Sequence, residues 1–282
     1  MLTITHDEHG DAGRFEARVD GGSVELDWLR HGDRLVIHHT GTSPALRGRG
    51  LAGELVAHAM AWAALQGLQL VPSCSYVAAW LHRQPRWQRL LAPAAAQAVL
   101  NFWFGAIGSA TDGRQRGEWF RKDEAFDAEV RTRFGASIDA ALAGGLHDWR
   151  ASPWGRLACV LLLDQLTRNA YRGTAKSFAG DALALQEALA LLDGGIAFEP
   201  VAQWFVLMPL EHAEDLAVQD RSVSEFERLA QRDAGLTGAL DYARRHREVI
   251  VRFGRYPHRN AILGRESTTE ELAYLAQPGA GF

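Results

Sequence analysis

The chain has 282 residues, 47% of them hydrophobic and 23% charged, and a formal net charge of −4. That length suits about two domains, each able to bury a core, and the composition is ordinary for a globular protein. A small acidic net charge argues against a polyanion partner, so no nucleic-acid surface is expected. Cys74 and Cys159 lie far apart and form neither a disulfide framework nor a metal knuckle. The opening MLTITHDEHGDAG has no basic region and no apolar run of signal-peptide length. The longest strongly apolar run, residues 159–163, is far short of the roughly 20 residues a membrane span needs. A cytoplasmic, soluble protein with no membrane partner is expected.

Residues 15–19 alternate and meet the turn Asp20-Gly21-Gly22; residues 23–29 alternate again and meet His31-Gly32-Asp33. With a third strand at 35–39, these tight Gly/Asp turns predict an antiparallel meander. Past a glycine-rich corner, Leu51, Leu55, Val56, Ala59, Met60 and Ala63 recur at helical spacing, and Gly67 is placed to end that helix. A short apolar strand at 68–72 and a second helix at 76–83 complete the order β-β-β-α-β-α.

Two readings compete for the corner. Gly48-x-Gly50-x-x-Gly53 matches the letters of the dinucleotide fingerprint. That unit, however, follows a buried parallel strand and needs a carboxylate at the end of the next strand. Here the preceding strands are hairpin-linked and the next one ends in Pro72-Ser73-Cys74. The other reading starts from Arg47-x-x-Gly50-x-Ala52. A glycine corner at a helix N-terminus aims backbone N–H groups at an anion, the helix dipole adds to the attraction, and Arg47 and Arg49 bring charge.

The second reading resembles a branch of the GNAT superfamily, the short single-domain acetyltransferases. The resemblance covers about residues 12–90. It is carried by His39-Thr40, Pro44-x-Leu46-Arg47-Gly48-x-Gly50 with its helix, Val71-Pro72-Ser73-Cys74-Ser75-Tyr76-Val77 and Pro85. It implies transfer of an acetyl group from acetyl-coenzyme A to a small-molecule or protein amine. Coenzyme A would be held by Thr40, Arg47, Gly48, Arg49, Gly50, Leu51 and Ala52. His39 and Cys74 are the implied catalytic candidates: His39 as base or orienter, Cys74 as acid to the leaving thiolate or as a transient acyl acceptor. As residues alone, Cys74 also reads as core filling and His39 as a strand bridge. Gln84-Pro85-Arg86-Trp87 departs from the family, which carries a histidine before that proline and a tyrosine after it.

Beyond Pro93 nothing alternates at period two. Helical patterns run over 123–143, 154–169, 181–192, 200–208, 213–232, 238–253 and 268–276, and Ser267-Thr268-x-x-Glu271 reads as a capping box. The expected fold is α+β overall: a GNAT-like mixed sheet with two helices over 1–91, then an all-α domain over 93–282 with seven to nine helices in paired antiparallel packing. Polar clusters in the helical half form a candidate site. They are Asp164, Arg168 and Asn169; Glu211, His212 and Asp215, where Glu211 and Asp215 are expected to share a face; His246; and Arg255, His258, Arg259 and Asn260. These phrases, with Phe102-Trp103-Phe104-Gly105, resemble an uncharacterised bacterial family of tetratricopeptide-like helical domains over about 97–275. No metal is expected, because neither HExxH nor a second His-x-x-Glu is present. An organic ligand site and a buried ion-pair clasp both remain open for the cluster.

Three functional readings follow. The chain is an N-acetyltransferase whose helical domain provides or binds the acceptor or a partner. Alternatively it is a coenzyme A-binding regulatory module without turnover, attached to a helical scaffold. In the third, the helical domain carries a separate activity of its own.

Overall fold

Hydrophobic alternation in the first strands translates into a sheet with one buried face. The structure, a computed structural model, describes residues 2–281. Strands β1 (Ile4–His9), β2 (Ala12–Val19), β3 (Gly22–His31), β4 (Arg34–Thr42) and β5 (Gln69–Pro72) lie in the order β1-β2-β3-β4-β5. The first three pairs are antiparallel and β4–β5 is parallel. The parallel pair requires a crossover, which helix α1 (Leu51–Leu65) supplies before β5; α2 (Ser75–His82) follows it.

Phe15, Ala17, Val24, Leu26, Trp28, Leu35 and Ile37 share one core with Leu55, Val56, Ala59, Met60 and Ala63 of α1 and Val77, Trp80 and Leu81 of α2. Burial of such side chains, about 1.5–3 kcal/mol each, drives this packing. Strand β1 was not expected. Its pattern is mostly polar because it is an edge strand: only Ile4 and His6 turn inward, and the His6 ring stacks on Phe15 at 3.9 Å.

The first compact unit comprises Met1–Arg114 with Asp148–Gly155, and the second Gln115–His147 with Arg156–Phe282. The first unit therefore extends past Pro93. The side chains of two polar residues explain why. Buried Arg89 donates to Asp112 Oδ1, Asn101 Oδ1 and the Gly105 carbonyl, each at 2.9 Å. Gln97 on α3 (Ala94–Phe104) reaches the carbonyls of Leu68, Leu90 and Ala92 at 3.2, 3.3 and 2.8 Å. Around Gln84-Pro85-Arg86-Trp87, Arg86 pairs with Asp112 at 2.7 Å and Trp154 Nε1 donates to the Pro85 carbonyl.

The second unit is helical: α4 (Glu124–Leu142), α5 (Pro153–Val160, whose first residues belong to the first unit), α6 (Thr167–Ala170), α7 (Asp181–Asp193), α8 (Pro200–Glu211), α9 (Leu216–Arg232), α10 (Thr237–Phe253) and α11 (Thr269–Leu275). With α3 this makes nine α-helices among the described residues beyond Pro93. Asp123 caps α4 by accepting from the Ala125 and Phe126 N–H groups, and Thr268 and Glu271 form the expected capping box. The helix at 154–169 is not one α-helix, because Leu161–Leu166 is a π-helical segment. Helix α8 runs through Pro209, past the expected stop at Met208. Its terminal carbonyls are gathered by buried Gln219, whose Nε2 lies 3.2, 2.7 and 2.8 Å from the oxygens of Leu210, Glu211 and Ala213. Leu207, Phe226, Leu229, Leu236, Ala239, Leu240 and Ala243 form the core of α8, α9 and α10. Among the described residues no helix is long and apolar enough to cross a membrane.

Candidate functional sites

In the first unit the glycine corner closes β4 into α1. A short 3-10 turn, Pro44–Leu46, leads to Gly48 and Gly50, with φ of +77° and +78°. An L-residue adopts that conformation only with strain, which is why glycine stands at both positions. A Cβ at either would meet no atom within 4 Å, so the corner opens outward. Gly50 is the N-cap of α1 with no side-chain cap, and the N–H groups of Gly50, Leu51 and Ala52 have no protein acceptor among the described residues. Exposed Arg47 and Arg49 flank them. Together these are the elements of an anion cradle.

Strand pairing sets what lies beside the corner. Strand β5 pairs with β4 only as far as Ile37↔Pro72, so beyond Ile37 that side of β4 has no strand neighbour among the described residues. Proline ends the ladder because it lacks an N–H. A bulge at His38 then shifts the register, leaving Trp28 opposite Ile37 and Asp27 opposite His39. Thr40 consequently faces the same side as buried Leu26, while His39 faces the side of Asp27. The structure brings Thr40, not His39, to Cys74: the Oγ1–Sγ distance is 3.4 Å. His39 is half exposed, with Nε2 3.4 Å from Glu25 Oε1. Cys74 caps α2 and is partly buried. Burial pushes its thiol pKa up, but the Thr40 hydrogen bond and the Val77 and Tyr76 N–H groups outweigh this and hold it below the ordinary value.

The helical unit gathers most of its sequence candidates at one place. The π segment turns Asp164 fully inward, where Oδ1 meets Arg168 Nη1 at 3.0 Å and His212 Nδ1 at 2.7 Å. Burial would raise the Asp164 pKa, but Arg168 and His212 hold it well below the carboxylate range. Gly180 lets the start of α7 approach the Leu163 backbone, and Asp181 then meets Arg168 at 3.0 Å and Arg259 at 3.1 Å. Glu211 is buried and its Oε1 has no hydrogen-bond partner among the described residues; burial and the Asp164 charge push its pKa well above the usual value. Burial lowers His212, takes His246 down to about 3 and His258 down to about 4, so these rings are neutral at pH 7. His246 Nδ1 lies 2.9 Å from the Tyr242 carbonyl and 3.5 Å from Glu211 Oε1.

Other candidates do structural work. Glu211 and Asp215 share no helix face, because α8 ends at Glu211 and Asp215 caps α9 through the Val218 N–H. Arg255 grips Glu271 at 2.7 and 2.8 Å, and Asn260 reaches Glu271 at 3.3 Å and Ser267 at 3.0 Å, tying down α11. Tyr256 donates from its hydroxyl to the Glu211 carbonyl.

A cavity of about 700 Å³ opens among these groups, lined in part by Arg168, Asn169, Glu211, His212, His258 and Arg259. Sequence reasoning missed Asp181 and the pair Asp127–Arg172, whose Nε–Oδ2 distance is 2.7 Å. It also missed the aromatic wall of Trp119, Phe120 and Trp204. These residues come from distant segments with no shared motif, so no local signal marks them. Among the described residues no group of three or more His, Cys, Asp or Glu side chains is arranged to hold a metal ion.

Residues 14–90 match the family described as GCN5-related N-acetyl-transferase, which supports a general acetyl-coenzyme A-dependent acyltransferase activity for the first unit. A solved structure, "Structure of Protein of Unknown Function ATU0120 from Agrobacterium tumefaciens", is 39% identical with a TM-score of 0.56. The match covers 65% of this chain and 97% of that one. Residues 99–279 match the family described as "Bacterial protein of unknown function (DUF924)", and to that family the chain belongs.

Proposed function

We propose that the first unit transfers an acetyl group from acetyl-coenzyme A to an amine, and that the helical unit provides or binds the acceptor or a partner. The observation that carries this reading is the outward-facing corner at Gly48–Gly50, with three backbone N–H groups unclaimed by protein acceptors among the described residues. A diphosphate suits that donor set, so Arg47, Gly48, Arg49, Gly50, Leu51 and Ala52 would hold coenzyme A, with Thr40 towards its acyl end. Acetyl-coenzyme A supplies the activated thioester. Cys74, hydrogen-bonded to Thr40 and with its pKa lowered, is the group suited to protonate a leaving thiolate. His39, beside Glu25 on the other side of β4 from Thr40, is the proposed base and would reach the amine through water. The tetratricopeptide-like reading of the helical unit goes with partner binding, supported by the packing of consecutive helices α8, α9 and α10.

Calorimetric titration of acetyl-coenzyme A into the full chain tests the reading, together with release of free coenzyme A in the presence of an amine panel. Binding that Gly50→Glu abolishes, with amine-dependent release, is expected. No heat or thermal shift, with Gly50→Glu indistinguishable from wild type, would refute it. Binding without turnover would assign the first unit to regulation instead.

A further inference from the structure

The helical unit's cavity has a charge pattern that acetyl transfer does not use. Its volume of about 700 Å³ lies within the range of small-molecule sites. Arg121, Arg168, Arg172 and Arg259 line it, and among the described lining residues Glu211 is the one carboxylate. The other carboxylates stand behind the arginines and aim them. Asp127 holds Arg172 at 2.7 and 3.0 Å, Asp164 holds Arg168, and Asp181 holds both Arg168 and Arg259. Arginines fixed in this way meet an incoming anion without first losing side-chain freedom.

On this wall two residues each carry a buried side-chain atom with no hydrogen-bond partner among the described residues. Arg259 is buried, lies over the Phe178 ring at 4.8 Å and the Tyr256 ring at 4.5 Å, and its Nε has no hydrogen-bond acceptor. Glu211 Oε1 is equally unpartnered. Buried polar atoms are normally satisfied, and leaving one unmade costs roughly 1–3 kcal/mol. Two residues lining one cavity each carry such an atom, which points to a ligand that completes their hydrogen bonding. The cavity also has an apolar side: Phe120 is 57% exposed and its ring lies 5.1 Å from that of Trp204.

We propose that this cavity binds a small organic anion, its carboxylate or phosphate taken by Arg259 and Arg168 and its planar apolar body lying against Phe120 and Trp204. Burial and the nearby Asp164 charge raise the Glu211 pKa well above the usual value, which favours the acid form as a hydrogen-bond donor to the ligand. His212, with Nδ1 engaged by Asp164, offers Nε2 as an acceptor. The assignment does not depend on the acyltransferase reading.

The test uses the full chain and probes of one size: phenylacetate, phenyl phosphate, the neutral phenylacetamide and the cationic phenethylamine, with inorganic phosphate alone as a fifth. Affinities come from calorimetry or ligand-observed NMR. At least one aryl anion is expected to bind ten-fold or more tighter than phenylacetamide, and the ratio of phenylacetate to phenyl phosphate identifies the headgroup. Arg259→Gln should erase the preference for the anions. Because Arg259 packs against Tyr256 and its loss could unsettle the fold, exposed Phe120 provides a second variant. Phe120→Ser should weaken the aryl anions several-fold and leave inorganic phosphate unchanged. The proposal is overturned if no probe binds at millimolar concentration, if phenethylamine or phenylacetamide binds as tightly as the anions, or if a folded Arg259→Gln keeps the preference.

Discussion

Gly180 provides a quantitative test of the helical unit's architecture. Its φ is −90°, a conformation open to any residue, so backbone strain does not require glycine there. Space does: a Cβ would lie 2.2 Å from the Leu163 carbonyl oxygen and 2.8 Å from its carbon. Both atoms are backbone in the π segment and cannot rotate away. Relief needs α7 to retreat by about an ångström, judged against ordinary van der Waals separation. That movement would pull Asp181 from its contacts at 3.0 and 3.1 Å. Gly180→Ala gains about 0.4–1 kcal/mol by restricting the unfolded chain. The overpacking costs about 1–3 kcal/mol, and loosening two charge-assisted contacts adds about 1 kcal/mol more. The net expectation is a loss of about 2 kcal/mol, or roughly 4–8 °C in Tm for a unit of this size. Gly135→Ala is the matched control. It lies within α4, and a Cβ there meets nothing within 4 Å, so a gain of about 0.5–1 kcal/mol is expected. Thermal and urea melts of both variants, followed by circular dichroism, measure the contrast. Gly180→Ala as stable as wild type would show that α7 is not seated against the π segment.

Two further predictions follow from the titrating groups. Thr40→Val removes the side-chain hydrogen bond that lowers the Cys74 thiol pKa. The pH profile of iodoacetamide alkylation at Cys74 should therefore shift upward, and an unmoved profile would show that the α2 N–H groups act alone. Glu211 stays protonated in the folded state above the pH, about 4.3, at which it ionises when unfolded. The folded state then binds more protons, and stability falls as pH rises above that value until the folded pKa is passed. Glu211→Gln removes this dependence. Its stability relative to wild type should grow from about pH 5 to about pH 8, by about 1.4 kcal/mol for each unit of folded-state shift that this range covers. A difference independent of pH would mean that Glu211 is ionised in the fold.

What was legible in the chain is what neighbours in sequence decide. Alternation marked β2, β3 and β4, the 3.6-residue period marked the long helices, and Asp123, Thr268 and Glu271 capped where capping chemistry indicates. Gly48 and Gly50 stood out because a left-handed corner at a helix start leaves little choice of residue. Edge strand β1 escaped because an edge needs little hydrophobic patterning. The π segment escaped because its six residues read like any buried helical run.

Local pattern determined the elements, the glycine corner and the list of polar residues too numerous for an ordinary helix surface. Tertiary structure alone decided how those residues divide. The phrase 211–215 contributes Glu211 to the cavity wall, His212 to Asp164, Glu214 to Arg265 at 2.6 Å and Asp215 to a helix cap. One bulge at His38 turned His39 away and set Thr40 beside Cys74. The reason is the same in both places. Side-chain direction reverses or rotates with a single residue of register, and register is set by partners that lie far away in the chain.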